Sequence, residues 1–296
     1  MLSIIADSRF LFLLRGAAQR VLSLVATDCP LCEGAAAGGE LCAGCYGDIT
    51  FTMRNGDRRC ARCAQRKGAG QHACLSCVAL DPVFTRAIAA FDYEPPFDSL
   101  IGRYKSEHRF GLSTTLAKLL VDAIGREGGT ERAVPRVGPT DAGSSRVGKT
   151  WAVRGDSDLC NAGLIRHGGT YALKAGTILV PIPSSNASLR HRGFNPAAEL
   201  AASLGAYLQL PVRRGVLRRL REGPRQAFSS RLARRQGAQG LFDCTVPIDG
   251  LPVGLVDDVM TTGSTVNAAA RALLRAGASE VTVLVAARAP MRQRYS

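Results

Sequence analysis

Two adjacent carboxylates, Asp257 and Asp258, stand just before a run of hydroxyl and glycine residues, Thr261, Thr262, Gly263, Ser264 and Thr265. Hydroxyls donate hydrogen bonds to phosphate oxygens, and a glycine lets the backbone approach them closely. Carboxylates cannot serve that phosphate directly. They suit sugar hydroxyls, or a magnesium ion held through its waters, so acids and loop together fit a ligand that carries ribose, phosphate and metal at once. Leu251, Val253, Leu255 and Val256 make an apolar run ahead of the acids, and an alanine-rich amphipathic segment runs on to Gly277. The order is strand, loop, helix. The loop then lies at the amino end of a helix, where free N–H groups and the helix dipole attract anions. A buried strand followed by an N-capped helix would explain the apolar pattern too, but capping asks for one side chain and leaves the acid pair and the rest of the loop unused.

A second chemistry sits near the amino terminus. Eight of the ten cysteines form four Cys-x-x-Cys pairs, Cys29/Cys32, Cys42/Cys45, Cys60/Cys63 and Cys74/Cys77. Two thiolates two residues apart on a tight turn reach one tetrahedral zinc, and a second pair completes its shell. Four pairs imply two structural zinc ions. The short gaps within 29–45 and 60–77 favour consecutive pairs on each metal, as two zinc ribbons, with crossed pairing left open. A disulfide framework is the competing reading. FLFLL at Phe10–Leu14 is followed closely by Arg15 and Arg20 with no small-residue cleavage site before Cys29, which favours a reducing, cytoplasmic setting over export. Cys160 and Cys244 stand alone, and His72, His108, His167 and His191 show no metal spacing.

The net charge of +14 favours polyanionic partners, and nine arginines between Arg213 and Arg235 are opposed only by Glu222. No apolar run is long enough to cross a membrane. The stretch from Arg126 to Ala175 is rich in Gly, Arg, Thr and Ser and lacks periodicity, which reads as an insertion. Within it GSSRVGKT, Gly143–Thr150, matches the nucleotide P-loop pattern without the strand before it and helix after it that a working P-loop needs.

The 254–277 stretch resembles the phosphoribosyl-pyrophosphate (PRPP) motif of type I phosphoribosyltransferases. Tyr93-Glu94-Pro95-Pro96-Phe97, Leu100-Ile101 and Lys105 are similar to segments of the ComF family, phosphoribosyltransferase-like proteins associated with DNA uptake in competent bacteria that carry a cysteine-rich zinc ribbon. Val180-Pro181-Ile182-Pro183, Arg190, and Arg192-Gly193-Phe194-Asn195 continue the likeness, with Pro196 where the family has Gln. So do Arg221, Gln226, Arg234 and Phe242, with Gly223 and Gly237 where Thr and Asn are expected.

The resemblance implies an α/β fold, a parallel-sheet type I phosphoribosyltransferase-like domain over 86–296 behind a double zinc ribbon at 26–80, with an amphipathic helix at 1–25 and the insertion at 126–175. It implies that Asp257 and Asp258 hold the ribose. The 5′-phosphate would lie on Thr261, Thr262, Gly263, Ser264 and Thr265, and the diphosphate on the loop after Pro183 with Arg190 or Arg192. Lys105 and Arg221 complete the expected PRPP-binding set, and magnesium accompanies PRPP. The implied reaction is attack on C1 of PRPP with loss of pyrophosphate to an unknown acceptor. The rival expectation keeps the fold without catalysis, as a PRPP- or nucleotide-binding, single-stranded-DNA-associated protein of the competence machinery.

Overall fold

The computed structural model describes residues 25–54, 59–67, 73–106, 111–128, 173–221 and 240–290. In chain order these form β1 (Ala26–Asp28), β2 (Ala35–Ala37), α1 (Ala43–Arg54), α2 (Leu75–Leu80), β3 (Arg86–Asp92), α3 (Asp98–Ser106), α4 (Leu112–Gly128), β4 (Ile178–Pro181), α5 (Asn186–Arg192), α6 (Pro196–Leu208), β5 (Leu217–Arg219), β6 (Phe242–Cys244), β7 (Pro252–Met260), α7 (Ser264–Arg275) and β8 (Glu280–Arg288). The sequence-expected helix at 1–25, most of the insertion, the P-loop match at Gly143–Thr150, and Gln226 and Arg234 lie outside the described residues.

β3, β8, β7 and β4 pair in that order into one parallel sheet. From Val281 to Arg288 every residue of β8 is buried. A strand without polar alternation must be covered on both faces, which is the parallel-sheet case. Two apolar layers do the covering. On one face Leu100 and Ile101 of α3, Leu116 and Leu120 of α4, and Leu200 and Leu204 of α6 pack against Ile88, Val256 and Leu284. On the other, Val266, Ala269 and Leu273 of α7 and Phe242 of β6 join Val253 and Leu255 of β7 and Val283 of β8, with Cys63 and Ala64 included. This is the α/β architecture expected from the sequence, together with a cysteine-bearing amino-terminal segment.

One element differs from expectation. The segment Val212–Leu217 reads from the sequence as a single short strand, yet Val212 makes only an isolated parallel bridge to Leu179, and the strand proper is Leu217–Arg219, antiparallel to β6. Gly215, at φ +86°, turns the chain between the two, so the segment cannot continue as one strand.

Tyr104 of α3 is buried and donates from its hydroxyl to the Pro196 carbonyl at 2.7 Å, tying α3 to the start of α6. Tyr104→Phe leaves that carbonyl without its donor, and urea denaturation should show a loss of about 1 kcal/mol.

Candidate functional site

The chain leaves β4 toward α6 on one face of the sheet and leaves β7 toward α7 on the other. Where connections of neighbouring parallel strands depart to opposite faces, a crevice opens outside their carboxyl ends, and ligands of open α/β sheets bind there. β4 and β7 are such neighbours, with Pro181 opposite Val256 and the Ile182 N–H donating to the Val256 carbonyl at 2.9 Å. The crevice is therefore flanked by the loop after Pro183 and by the segment from Asp257 to Ser264.

Asp257 and Asp258 fall within β7, near its carboxyl end. The Asp258 N–H donates to Asp257 Oδ1 at 2.9 Å, and the Lys105 ammonium of α3 forms an ion pair with Asp258 Oδ2. That oxygen accepts no hydrogen bond of regular geometry, so charge is what holds it. The two acids are driven apart electrostatically. Burial, and then the charge of Asp258, pushes the Asp257 carboxyl well above the ordinary carboxylate range. Burial acts on Asp258 in the same sense, but Lys105 outweighs it and holds the carboxyl below that range. One acid is thus poised to keep a proton and the other to remain an anion, the arrangement that two carboxylates sharing a small site adopt. Lys105, expected from the sequence to contact PRPP, meets Asp258 directly.

After Met260 the chain turns through Thr261 and Thr262 into α7. Gly263 sits at the N-cap of that helix with φ +84°, and a Cβ there would come within 2.7 Å of Met260 Cε and 2.8 Å of Leu80 Cδ2. Conformation and space both call for glycine. Thr262 Oγ1 and Ser264 Oγ lie 3.0 Å apart, and the Ser264 N–H points at Thr262 Oγ1 at 3.4 Å. Hydroxyls and amides are thereby gathered at the amino end of a twelve-residue helix, a suitable seat for an anion.

Across the crevice, the loop after Pro183 is held from behind. Asn195 caps α6, its side-chain oxygen accepting from the Ala197 N–H at 3.1 Å and from Ser184 Oγ at 3.0 Å, while its amide donates to the Ile182 carbonyl at 3.0 Å. Pro196, where the sequence resemblance expects Gln, occupies the first helical turn, where no N–H is missed. Arg219 donates from Nε to the Pro183 carbonyl at 3.2 Å and lies over the Phe242 ring at 4.8 Å. Arg190 and Arg192 stand in the last turn of the short α5, with Arg190 exposed. Arg221, two residues after β5, is exposed at the edge of the described residues.

The cysteines gather as consecutive pairs. Cys29, Cys32, Cys42 and Cys45 form one group, Cys60, Cys63, Cys74 and Cys77 the other, and within each group all sulfurs lie within 4.8 Å of one another. None is in a disulfide. Sγ–Sγ separations of 3.7 Å for Cys32/Cys42 and 3.6 Å for Cys60/Cys77 and Cys63/Cys74 match the edge of a tetrahedron with metal–sulfur distances of about 2.3 Å. Backbone N–H groups of Cys42 and Cys45 point at Cys29 Sγ and Cys42 Sγ, at 3.4 and 3.5 Å, as they do toward metal-bound thiolates. The donor set fits one zinc ion per quartet. Metal analysis of the purified chain should return two zinc per protein, falling to one in Cys32→Ser and likewise to one in Cys74→Ser.

No protein-family model matches the sequence. Among curated proteins, the chain is 26% identical over 253 residues to Competence protein F of Haemophilus influenzae, covering 84% of this chain and 90% of the relative. It is 25% identical over 224 residues to DNA utilization protein YhgH of Escherichia coli, covering 76% and 81%. It is 30% identical over 128 residues to Competence protein ComFC of Bacillus subtilis, covering 42% and 50%. The first two of these relatives, a competence protein and a DNA-utilization protein, match along three quarters or more of this chain.

Several supporting residues carry little sequence signal of their role. Asn267 of α7 accepts from the Val83 N–H at 2.8 Å and donates to the carbonyls of Leu80 and Asp81, both at 3.3 Å. Arg288, buried at the end of β8, donates to carbonyls on either side of it in space. An arginine directly after the apolar run Val283–Ala287 is the available clue, since an unpartnered buried charge is too costly to keep.

Proposed function

We propose that the chain binds PRPP together with magnesium in the crevice between the carboxyl ends of β4 and β7, and that it transfers the phosphoribosyl group to an acceptor with release of pyrophosphate. The reading rests above all on the acid pair. A proton-retaining Asp257 and an anionic Asp258 beside Lys105 stand next to a hydroxyl-lined helix start, and these are the groups that a ribose 5-phosphate requires side by side. Asp258 would accept from both ribose hydroxyls and stabilise the positive charge that builds on the ring as the C1–O bond lengthens. The Thr261–Thr265 segment would take the 5′-phosphate, and the loop after Pro183, with Arg190, Arg192 and Arg221, the diphosphate. Magnesium would neutralise the departing pyrophosphate. The names of the relatives, competence and DNA-utilization proteins, support a role in DNA uptake during natural competence, and eight free thiols in two metal-binding groups suit the reducing cytoplasm.

Isothermal titration with PRPP and magnesium tests the assignment. Wild-type protein should bind with magnesium and lose most of that affinity without it, whereas absence of any heat with magnesium present would overturn the reading.

The arginines between Arg213 and Arg235 favour a second reading, a non-catalytic PRPP- or nucleotide-binding protein that also holds single-stranded DNA. It expects oligonucleotide affinity that falls steeply with salt and is indifferent to Asp257 and Asp258. Fluorescence anisotropy at two salt concentrations, with Asp258→Asn alongside wild type, separates the two.

A further inference from the structure

We propose that Arg288 is a positioning residue that fastens the second cysteine quartet to the Thr261–Ser264 loop, so that the shape of the loop depends on that quartet holding its metal. The argument starts from burial. Arg288 is 2% exposed, and a guanidinium there must find acceptors and compensating charge. Its acceptors come from separate segments. Nε donates to the Cys63 carbonyl at 3.0 Å, while Nη1 donates to the Met260 carbonyl at 2.9 Å, to the Ala289 carbonyl at 2.8 Å and to the Thr261 carbonyl. One planar group thus bridges a metal-binding turn and the first residues of the loop. Asp92, a buried acid at the end of β3, is already paired with Arg59 and Arg66. Four thiolates on one zinc carry a net charge of −2, which is compensation of the right sign beside Cys63.

Two further ties run between the same segments. Leu80, three residues after Cys77, packs on Gly263, and Asn267 in the first turn of α7 takes the Val83 N–H and returns its amide to Leu80 and Asp81. The first quartet is attached differently. It meets α3 and α4 rather than the loop, through the Arg103 donation to the Pro30 carbonyl at 2.9 Å, the Tyr46–Asp122 hydrogen bond, and the Glu33–Arg103 and Glu40–Lys118 ion pairs. Loosening the second quartet should therefore reach the loop, whereas loosening the first should not. The consequence for ligand binding rests on the PRPP reading above; the mechanical coupling does not.

Hydrogen–deuterium exchange of the full-length protein, read by mass spectrometry on the peptide spanning 260–266 without ligand, tests the coupling directly. In Arg288→Met the expected result is at least tenfold faster exchange of that peptide, with peptides of β3 and β7 unchanged. Cys74→Ser, with zinc content falling from two to one, should reproduce the effect, and Cys32→Ser, with the same loss of one zinc, should leave exchange within about twofold of wild type. PRPP affinity measured with magnesium should weaken at least tenfold in Arg288→Met. If wild type binds no PRPP, the functional reading fails while the exchange experiment still decides the coupling. If Arg288→Met loosens the whole sheet, Asn267→Ala, which cuts only the second tie, decides it by the same peptide. Unchanged exchange in the deciding variant, or equal loosening by Cys32→Ser and Cys74→Ser, overturns the proposal.

Discussion

Asp258→Asn is expected to weaken magnesium-dependent PRPP binding by a hundredfold or more in isothermal titration, whereas Asp257→Asn should cost far less. Asp258 is the anion of the pair, held so by Lys105. Charge-assisted hydrogen bonds to a carboxylate contribute roughly 1.5–3 kcal/mol each, and two of them lost together amount to at least a hundredfold in affinity. Asp257 is already biased toward its neutral form, which asparagine imitates in shape and charge.

Stability should respond with opposite signs. A carboxyl whose folded pKa is raised holds its proton more tightly folded than unfolded. Asp257 therefore stabilises the fold least at high pH: its contribution falls as pH rises above the ordinary carboxylate value of about 4 toward its raised folded value. Asp257→Asn removes that loss, so its melting temperature at pH 7.5 should be at or above that of wild type. Asp258 works the other way. Its contribution is present above pH about 4 and is lost as pH falls through its depressed folded value. Asp258→Asn leaves Lys105 without its anion, and because Lys105 is partly exposed the cost at pH 7.5 is about 1–3 kcal/mol. Thermal melts of both variants at pH 5 and 7.5 check these signs. Equal behaviour of the two would remove the division of labour on which the site depends.

The asymmetry between the acids also shows what the sequence could and could not reveal. Asp-Asp before Thr-Thr-Gly-Ser-Thr is a local signal, because strand, acids, loop and helix are consecutive, so both the element order and the candidate ligands could be read from it. The cysteine quartets were equally local, since consecutive Cys-x-x-Cys pairs are close enough to meet. What each acid does was not local. It is decided by Lys105, about one hundred and fifty positions earlier, and by burial within a sheet formed from distant segments. Arg288 and Asn267 are harder still to see. Their partners are backbone carbonyls and N–H groups more than 180 residues away for the cysteine segment, and main-chain acceptors leave no side-chain pattern. Even the metal-binding turns hide one feature: Glu33 and Ala64, each the residue after the second cysteine of its pair, take positive φ of 62° and 55° where a glycine would have announced the turn.

Gly263→Val should be the most damaging single change in the loop, at about 3–5 kcal/mol by urea denaturation, with PRPP binding lost. Two costs combine. A β-branched residue at φ +84° is strained by roughly 1–2 kcal/mol, and the added carbons enter space already held by Met260 Cε and Leu80 Cδ2, an overpacking that costs about 1–3 kcal/mol more. The two can be separated. In Gly263→Ala the Cβ alone meets Leu80, and combining it with Leu80→Ala should return part of the stability because one obstructing side chain is gone, while the backbone strain remains. A double-mutant cycle with a coupling of about 1 kcal/mol or more would establish that the cysteine-bearing segment and the phosphate loop press on one another at this point. Strict additivity would mean that the loop adapts by itself, and that Gly263 is required for its conformation alone.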